Sequence, residues 1–326
     1  MILVTGGTGF VGSTLIKILV EQGQAVVAIK RANSIIPENL KASSLIHWVD
    51  ADITDYFALS DIFEGITLVY HCAAKISYQK KDAAEMMNVN IEGTKHIVNL
   101  CLEHNAKLIY VSSIAALGKN KLGNPVTEID KWEYEPTMSN YSLSKYKSEL
   151  EVWRGVIEGL KAIIVNPSVI MGKNSPASGS GAIFNVVNKG ISIYPSGTIG
   201  IVDVEDVANI MITLAQRDDL VNQRFILNSE NISNKDLLSK IATLLGKKVP
   251  SISASPFVMK LAWKGAKFLS IFSGSQPSLT EETAKAAMTK LAYDNTKIVD
   301  AISYKFKKID ITLQEIANTY NKQINN

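Results

Sequence analysis

A chain of 326 residues, 46% of them hydrophobic and 20% charged, can bury one large core, or a large one with a smaller partner. Its formal net charge of +3, with basic residues scattered rather than bunched, excludes a polyanion partner, so no nucleic acid is expected. The two cysteines, Cys72 and Cys101, lie in apolar stretches without disulfide or zinc spacing, which predicts no metal and fits a cytoplasmic protein.

In chain order, Met1 runs directly into the apolar "MILVTG", which predicts a strand and no signal peptide. Further apolar runs follow: "AVVAIK" (25–30), "LIHWVDA" (45–51), "TLVYHCA" (67–73), "KLIYVSS" (107–113) and "KAIIVNPS" (161–168). Runs rich in Val, Ile and Leu with little polar alternation suit parallel strands covered on both faces. Helical patterns lie between them, as in "GSTLIKILVEQG" and "NIEGTKHIVNLCLEHN", so the order is β-α-β-α. The fold class predicted is α/β, a Rossmann-type doubly wound parallel sheet.

After "NPS" the pattern changes. Residues 169–200, rich in Gly, Ser and Asn, read as loops and a short helix. "GIVDVEDVANIMITLAQR" reads as a strand and helix, and "QRFILN" (223–228) as a strand that rejoins the sheet. From "SNKDLLSKIATLLGK" onward the chain reads as mostly helical, with Ser233 or Asn234 as the first cap. Residues 1–168 are thus the nucleotide-binding domain, with 201–228 returning to it. Residues 169–200 and 229–326 form a smaller, mostly helical substrate region. "SPFVMKLAWKGAKFLSIF" (255–272) carries Lys260, Lys264 and Lys267, too many charges for a span. It reads as an amphipathic helix over the substrate region or at a subunit contact, and no membrane partner is expected.

"TGGTGFVG" (5–12) ends the first strand and opens the first helix. Gly7, Gly9 and Gly12 match Gly-x-Gly-x-x-Gly, and Gly6, Gly9 and Gly12 match a three-residue spacing. Such glycines permit a tight turn, close approach to a pyrophosphate and close helix packing. With Phe10 and Val11 at the helix start, the segment is a candidate dinucleotide cradle. The second strand ends "AIKR", without the acid that takes the ribose of NAD. Lys30 and Arg31 suit a 2′-phosphate instead, so NADP is expected, with NAD as the alternative.

"NYSLSKYKSE" (140–149) places Tyr141 and Lys145 on one helix face. The spacing recurs at Tyr293/Lys297 and Tyr304/Lys308, so the pair alone decides nothing. The wider set of motifs does: "TGGTGFVG", "DITD" (52–55), "HCAA" (71–74), "NVNIEGT" (88–94), "VSSIAALG" (111–118), "YSLSK" (141–145), "NPS" (166–168) and "VDVEDVA" (202–208). In order and spacing this set resembles the extended short-chain dehydrogenase/reductase family, also called the NAD-dependent epimerase/dehydratase family, and most of all its dihydroflavonol-reductase-type branch. The likeness runs over nearly the whole chain.

That resemblance implies roles. Asp52 and Ile53 match the residues that contact adenine, Ala73 and Ala74 those lining the cofactor after the fourth strand, and Pro167 and Ser168 those bordering the nicotinamide. Ser113, Tyr141 and Lys145 match the catalytic Ser, Tyr and Lys, which makes the two later Tyr/Lys pairs decoys. Tyr141 would act as general acid/base. Lys145 would lower its pKa and bind the nicotinamide ribose, and Ser113 would bind the reacting oxygen. Bringing a Tyr from pKa ~10 to neutrality takes ~4 kcal/mol. One ammonium ~4 Å away supplies about that much at an effective dielectric of ~20. His71 reads as packed rather than catalytic, and Asn90, near a predicted helix start, invites a functional role but could equally cap that helix.

Three functions compete. The first is an NADP-dependent reductase of a small or mid-sized carbonyl compound. The second is a sugar-nucleotide epimerase, although residues 155–216 contain no Arg to hold a diphosphate, and Leu117 stands where "VYG" has Tyr. The third is a regulator that senses NADP without turnover, although such relatives tend to lose the Tyr or the Lys. Dehydratase chemistry lacks its acid and base, because Ile114 and Ala115 follow Ser113. Position suggests that the 173–181 loop, "AIFNVVNKG" (182–190) and the helix around Trp263 shape the substrate pocket, with Lys75, Ile76 and Ser77 reaching it. A homodimer through Rossmann helices is compatible with the resemblance, and no residue requires it.

Overall fold

Continuous apolar runs become strands here because both faces of the sheet are covered. The computed structural model describes residues 1–120, 122–135, 138–175, 180–255, 257–259, 263–264 and 280–325. The six runs give β1 (Ile2–Thr5), β2 (Val26–Lys30), β3 (Ile46–Asp50), β4 (Leu68–His71), β5 (Lys107–Val111) and β6 (Ala162–Pro167). Between them lie α1 (Phe10–Glu21), α2 (Tyr56–Ser60), α3 (Ala83–Glu103) and α4 (Asn140–Ile157). Further along come β7 (Val169–Met171), α5 (Ala182–Asn188), β8 (Ile193–Tyr194), β9 (Thr198–Asp203), α6 (Val204–Ala215), β10 (Gln223–Leu227), β11 (Glu230–Ser233), α7 (Asn234–Leu244) and β12 (Ile252–Ser253).

The main sheet has seven strands in the order β10-β6-β5-β4-β1-β2-β3, and every pairing in it is parallel. This is the Rossmann-type sheet the sequence predicts, with β10 joining it beside β6. Side chains alternate between its faces. Val4, Ile109, Ile163 and Val165 pack with Leu15 of α1 and Met211 of α6, whereas Leu3, Leu108, Ala162 and Ile164 pack with Ile97 of α3 and Val152 of α4. Each such buried Val, Leu, Ile or Met contributes about 1.5–3 kcal/mol. Strand order reverses between β1 and β4, and the crevice this opens at their C-terminal ends is where open α/β sheets take ligands.

Residues 169–200 depart from the expected loops. β7 and β9 pair in parallel and β11 joins β9 antiparallel, giving a second sheet; β8 pairs with β12 in a third. β9 and α6 are the strand and helix read in "GIVDVEDVANIMITLAQR"; β7, β8, β11 and β12 are short, and their partners lie far along the chain, so no local period reveals them. Met171, Phe184, Ile201, Ile232, Ile241 and Leu313 bury together as a separate core under α5, α7 and helix Ile309–Asn325. Ser233 caps α7, accepting from the Asp236 N–H at 3.0 Å. Of the expected 255–272 helix, residues 257–259 and 263–264 are helical and much of the rest lies outside the described residues, as does part of the 173–181 loop. Among the described residues, no helix is long and apolar enough to cross a membrane.

Candidate active site

The glycine turn leaves β1 at the switch point. Gly6 has φ +67°, and a Cβ on it would stand 2.8 Å from the Ala73 backbone. A Cβ on Gly12 would meet the Gly6 carbonyl oxygen at 2.3 Å, so α1 crosses directly over the turn. Gly9 is the N-cap of α1 and no side chain caps that end. Helix geometry leaves the first-turn N–H groups, from Phe10, Val11 and Gly12, without intrahelical partners and facing outward with the positive end of the dipole. The cradle suits an anion approached by backbone alone.

Around it stand the other expected cofactor residues. Thr5 Oγ1 accepts from the Ala73 N–H at 3.2 Å, which fixes the Ala73–Ala74 turn after β4. Asp52 accepts from Thr54 N–H and Oγ1 at 2.9 and 2.7 Å; those bonds and nearby Arg31 hold its carboxyl below the usual range. Ile53 is buried against Gly93 of α3. Lys30 is engaged in an ion pair with Asp50 of β3, whereas Arg31 is exposed. The two basic residues are therefore not equivalent. At the end of β6, the Asn166 Oδ1 and Ser168 Oγ atoms are buried and, among the described residues, have no hydrogen-bond partner. Orphaned polar oxygens at a strand's C-terminal end, together with the bare glycine cradle, fit a polar ligand that completes the site.

Ser113 ends the β5 segment, and its Oγ accepts from the Ala115 N–H at 3.1 Å, so it caps the short helical turn Ile114–Ala116. Accepting that bond leaves its hydroxyl proton free to donate. The helix that follows is pinned at its start. Ser139 caps α4 by accepting from the Ser142 N–H at 2.9 Å, and Ser142 Oγ donates to the Ala115 carbonyl at 2.6 Å. Tyr141 and Lys145 sit one turn apart on this helix. The Tyr141 ring lies edge-on to Tyr78, with centroids 5.7 Å apart, and among the described residues its hydroxyl makes no hydrogen bond. Lys145 is 2% exposed and donates to the Val111 carbonyl at 2.7 Å and to the Tyr110 hydroxyl at 3.1 Å. Burial pulls its pKa down; Tyr141, Glu149 and Cys72 oppose that pull.

Asn90 is no cap: it lies well inside α3, accepts from the Lys75 N–H at 2.8 Å, and donates to the Lys75 carbonyl and Ser144 Oγ at 3.0 Å each. It ties the loop after β4 to α4 beside Lys145. Of the loop residues expected near the substrate, Lys75 pairs with Glu85, Ser77 binds Asp82 at 2.7 Å and Ile76 is exposed; Tyr78 is the one that reaches Tyr141. Nothing in the sequence marks Tyr78. The later Tyr/Lys pairs are occupied elsewhere. Lys297 donates to the Arg224 carbonyl at 2.9 Å, and the Tyr304 hydroxyl donates to Asp206 at 2.9 Å.

Residues 2–228 match the family model described as "NAD dependent epimerase/dehydratase family". A dihydroflavonol 4-reductase-like protein of Synechocystis sp. is 30% identical over 97% of this chain and 93% of its own length. Cinnamoyl-CoA reductase 1 of Petunia hybrida is 26% identical over 66% of this chain and 68% of its own. Among solved structures, the UDP-glucose 4-epimerase of Thermotoga maritima superposes with a TM-score of 0.80 over 99% of each chain at 20% identity, a likeness of fold.

Proposed function

We propose that this chain, which belongs to the NAD dependent epimerase/dehydratase family, is an NADPH-dependent reductase of a carbonyl group on a small organic substrate. One observation carries the reading. Lys145 is buried and held by the Val111 carbonyl, two residues before Ser113, with Tyr141 one turn before it at the open end of the sheet. A basic group kept in such a place, its ammonium bonded to a backbone carbonyl and a phenol hydroxyl, is suited to tuning a neighbouring phenol. Reductase rather than epimerase chemistry is supported by the names of the Synechocystis and Petunia relatives and by the Arg-free 155–216 segment.

A reduced dinucleotide, when bound, supplies the hydride. The first-turn N–H groups of α1, at Phe10, Val11 and Gly12, would hold its pyrophosphate, with Gly6 and Gly9 leaving room. Asp52 and Ile53 would meet the adenine; Ala73, Ala74, Pro167 and Ser168 would line the nicotinamide end. Arg31, being exposed, is better placed than Lys30 for a 2′-phosphate, since Lys30 already serves Asp50. Ser113 would donate its free proton to the substrate oxygen. Tyr141 would deliver a proton as that oxygen gains charge, and Lys145 would lower the cost of the phenolate left behind.

The test is loss of reduced-nicotinamide absorbance with NADPH and, separately, NADH, across aldehydes, ketones and flavonoid-like carbonyls, with Tyr141→Phe alongside. NADPH turnover that falls at least about a hundredfold in the variant is the expected outcome. A protein that binds NADPH yet stays silent across the panel turns the reading toward an epimerase.

A further inference from the structure

The spacing that joins Tyr141 to Lys145 continues to Glu149, so three functional groups line one face of α4 at intervals of four. The Glu149 side chain is 3% exposed. Its Oε2 accepts from Ser112 Oγ at 2.6 Å and Asn166 Nδ2 at 2.9 Å, and its Oε1 accepts from Arg224 Nη1 at 2.9 Å and Trp153 Nε1 at 3.3 Å. Four donors nearly saturate a carboxylate. They come from α4 itself, from the residue after β5, from β6 and from β10, three strands adjacent in the sheet.

Two of these contacts bracket Ser113. Ser112 precedes it, and the Asn166 amide that donates to Glu149 also donates to the Ser113 carbonyl at 3.0 Å. Burying a carboxylate so deep is costly even when it is paired with Arg224, and a well-packed apolar residue would seal the sheet to the helix equally well. We propose that Glu149 is a positioning residue: its carboxylate holds the Ser112–Ser113 backbone against Asn166 and keeps a negative charge one turn below Lys145. The inference rests on the reductase reading of Ser113, Tyr141 and Lys145.

The electrostatic part has a definite sign. Lys145 faces Tyr141 and Glu149 on its own helix, His71 and Cys72 from the end of β4, and Tyr110 from β5. Of these Glu149 is the group paired with a cation, Arg224, and it favours the Lys145 ammonium against burial. Removing its charge lowers the pKa of Lys145, so the alkaline limb of carbonyl reduction moves to lower pH.

Glu149→Gln and Ser112→Ala are compared with wild type and Tyr141→Phe for kcat, KM and pH profile. The Lys145 ionisation is followed separately by NMR of carbon-13-labelled lysine, assigned with Lys145→Met. Glu149→Gln is expected to lose about ten- to a hundredfold in kcat, the scale of a small misplacement, and to shift the alkaline limb down. Ser112→Ala is expected to lower kcat with the limb unmoved. A folded Glu149→Gln with wild-type kcat and limb overturns the proposal. If Glu149→Gln does not fold, Glu149→Asp takes its place, expected to keep the limb while kcat falls; unchanged kcat in both it and Ser112→Ala overturns the proposal. If wild type turns nothing over, the reductase reading fails, and an unshifted Lys145 titration in Glu149→Gln then sinks this inference independently.

Discussion

His71 is wholly buried between two hydroxyls, and the direction of their bonds fixes its proton. Thr94 Oγ1 donates to the Asn90 carbonyl at 2.6 Å, so it accepts from His71 Nε2–H at 3.2 Å. The Nδ1 atom then accepts from Thr5 Oγ1 at 2.7 Å, and Thr5 in turn accepts the Ala73 N–H. A neutral ring is thus part of the turn that carries Gly6 and Ala73. Burial, with Lys145 nearby, pulls its pKa down to about 3 from an ordinary 6.5. Between those values the unfolded chain binds the proton and the folded one does not, so stability is full above pH 6.5 and falls as pH drops below it. By pH 5 the loss is about 2 kcal/mol. Urea unfolding of wild type and His71→Asn at pH 8 and pH 5 checks this. The variant should be less stable at pH 8 yet lose less between the two; equal losses would exclude His71 as the cause. That His71 is packed was legible from its strand position. Its service to the glycine turn was not, because Thr5 and Thr94 are brought to it from 66 and 23 residues away.

At the scale of elements, the glycine turn separates two jobs that the motif merges. Its spacing announces a strand-turn-helix cradle, and the structure has one; the spacing does not say which glycine serves the fold and which the ligand. A Cβ on Gly12 would strike a backbone oxygen at 2.3 Å, while one on Gly9 meets only Gly6 O, at 3.2 Å, and otherwise faces open space. Gly12→Ala should therefore destabilise the protein by about 1–3 kcal/mol or more, the cost of overpacking against an unyielding neighbour. Gly9→Ala should unfold within about 1 kcal/mol of wild type but weaken NADPH binding about tenfold or more, because its methyl would stand where we propose that the phosphate approaches. Urea midpoints beside fluorescence titration with NADPH separate the two; loss of stability in Gly9→Ala with unchanged affinity would reverse the assignment. The same reasoning explains which elements could be read. Strands of the main sheet are continuous apolar runs because both faces are buried, and all six before residue 168 are where such runs stand. In the second and third sheets β9 is such a run and was legible as a strand, whereas β7, β8, β11 and β12 have two to four residues and a pairing settled only by distant packing.

For the whole molecule, the question is what fastens the later chain to the Rossmann sheet, and "VDVEDVA" supplies the answer. Asp203 caps α6, accepting from the Glu205 N–H at 2.8 Å, and is 1% exposed. Its other oxygen accepts from Thr312 Oγ1 at 2.7 Å and pairs with Lys307 Nζ at 3.2 Å. Lys307 also pairs with Glu205 at 2.7 Å and Glu315 at 3.4 Å, and its N–H donates to Asp206 at 3.0 Å. Burial works against the charge, yet Glu205 and Asp203 hold the Lys307 ammonium well above its ordinary range. One cation therefore joins α6, which packs on the main sheet, to helix Ile309–Asn325, which packs on the separate core. Removing it leaves Asp203 buried without its countercharge, a change worth about 3 kcal/mol. Lys307→Met should lower the urea midpoint accordingly and speed amide exchange in α6 and the 309–325 helix before the main sheet, while NADPH still binds. Exchange that rises uniformly across the protein would mean that the later chain and the sheet unfold as one unit, with the latch adding stability to both rather than joining two separable parts.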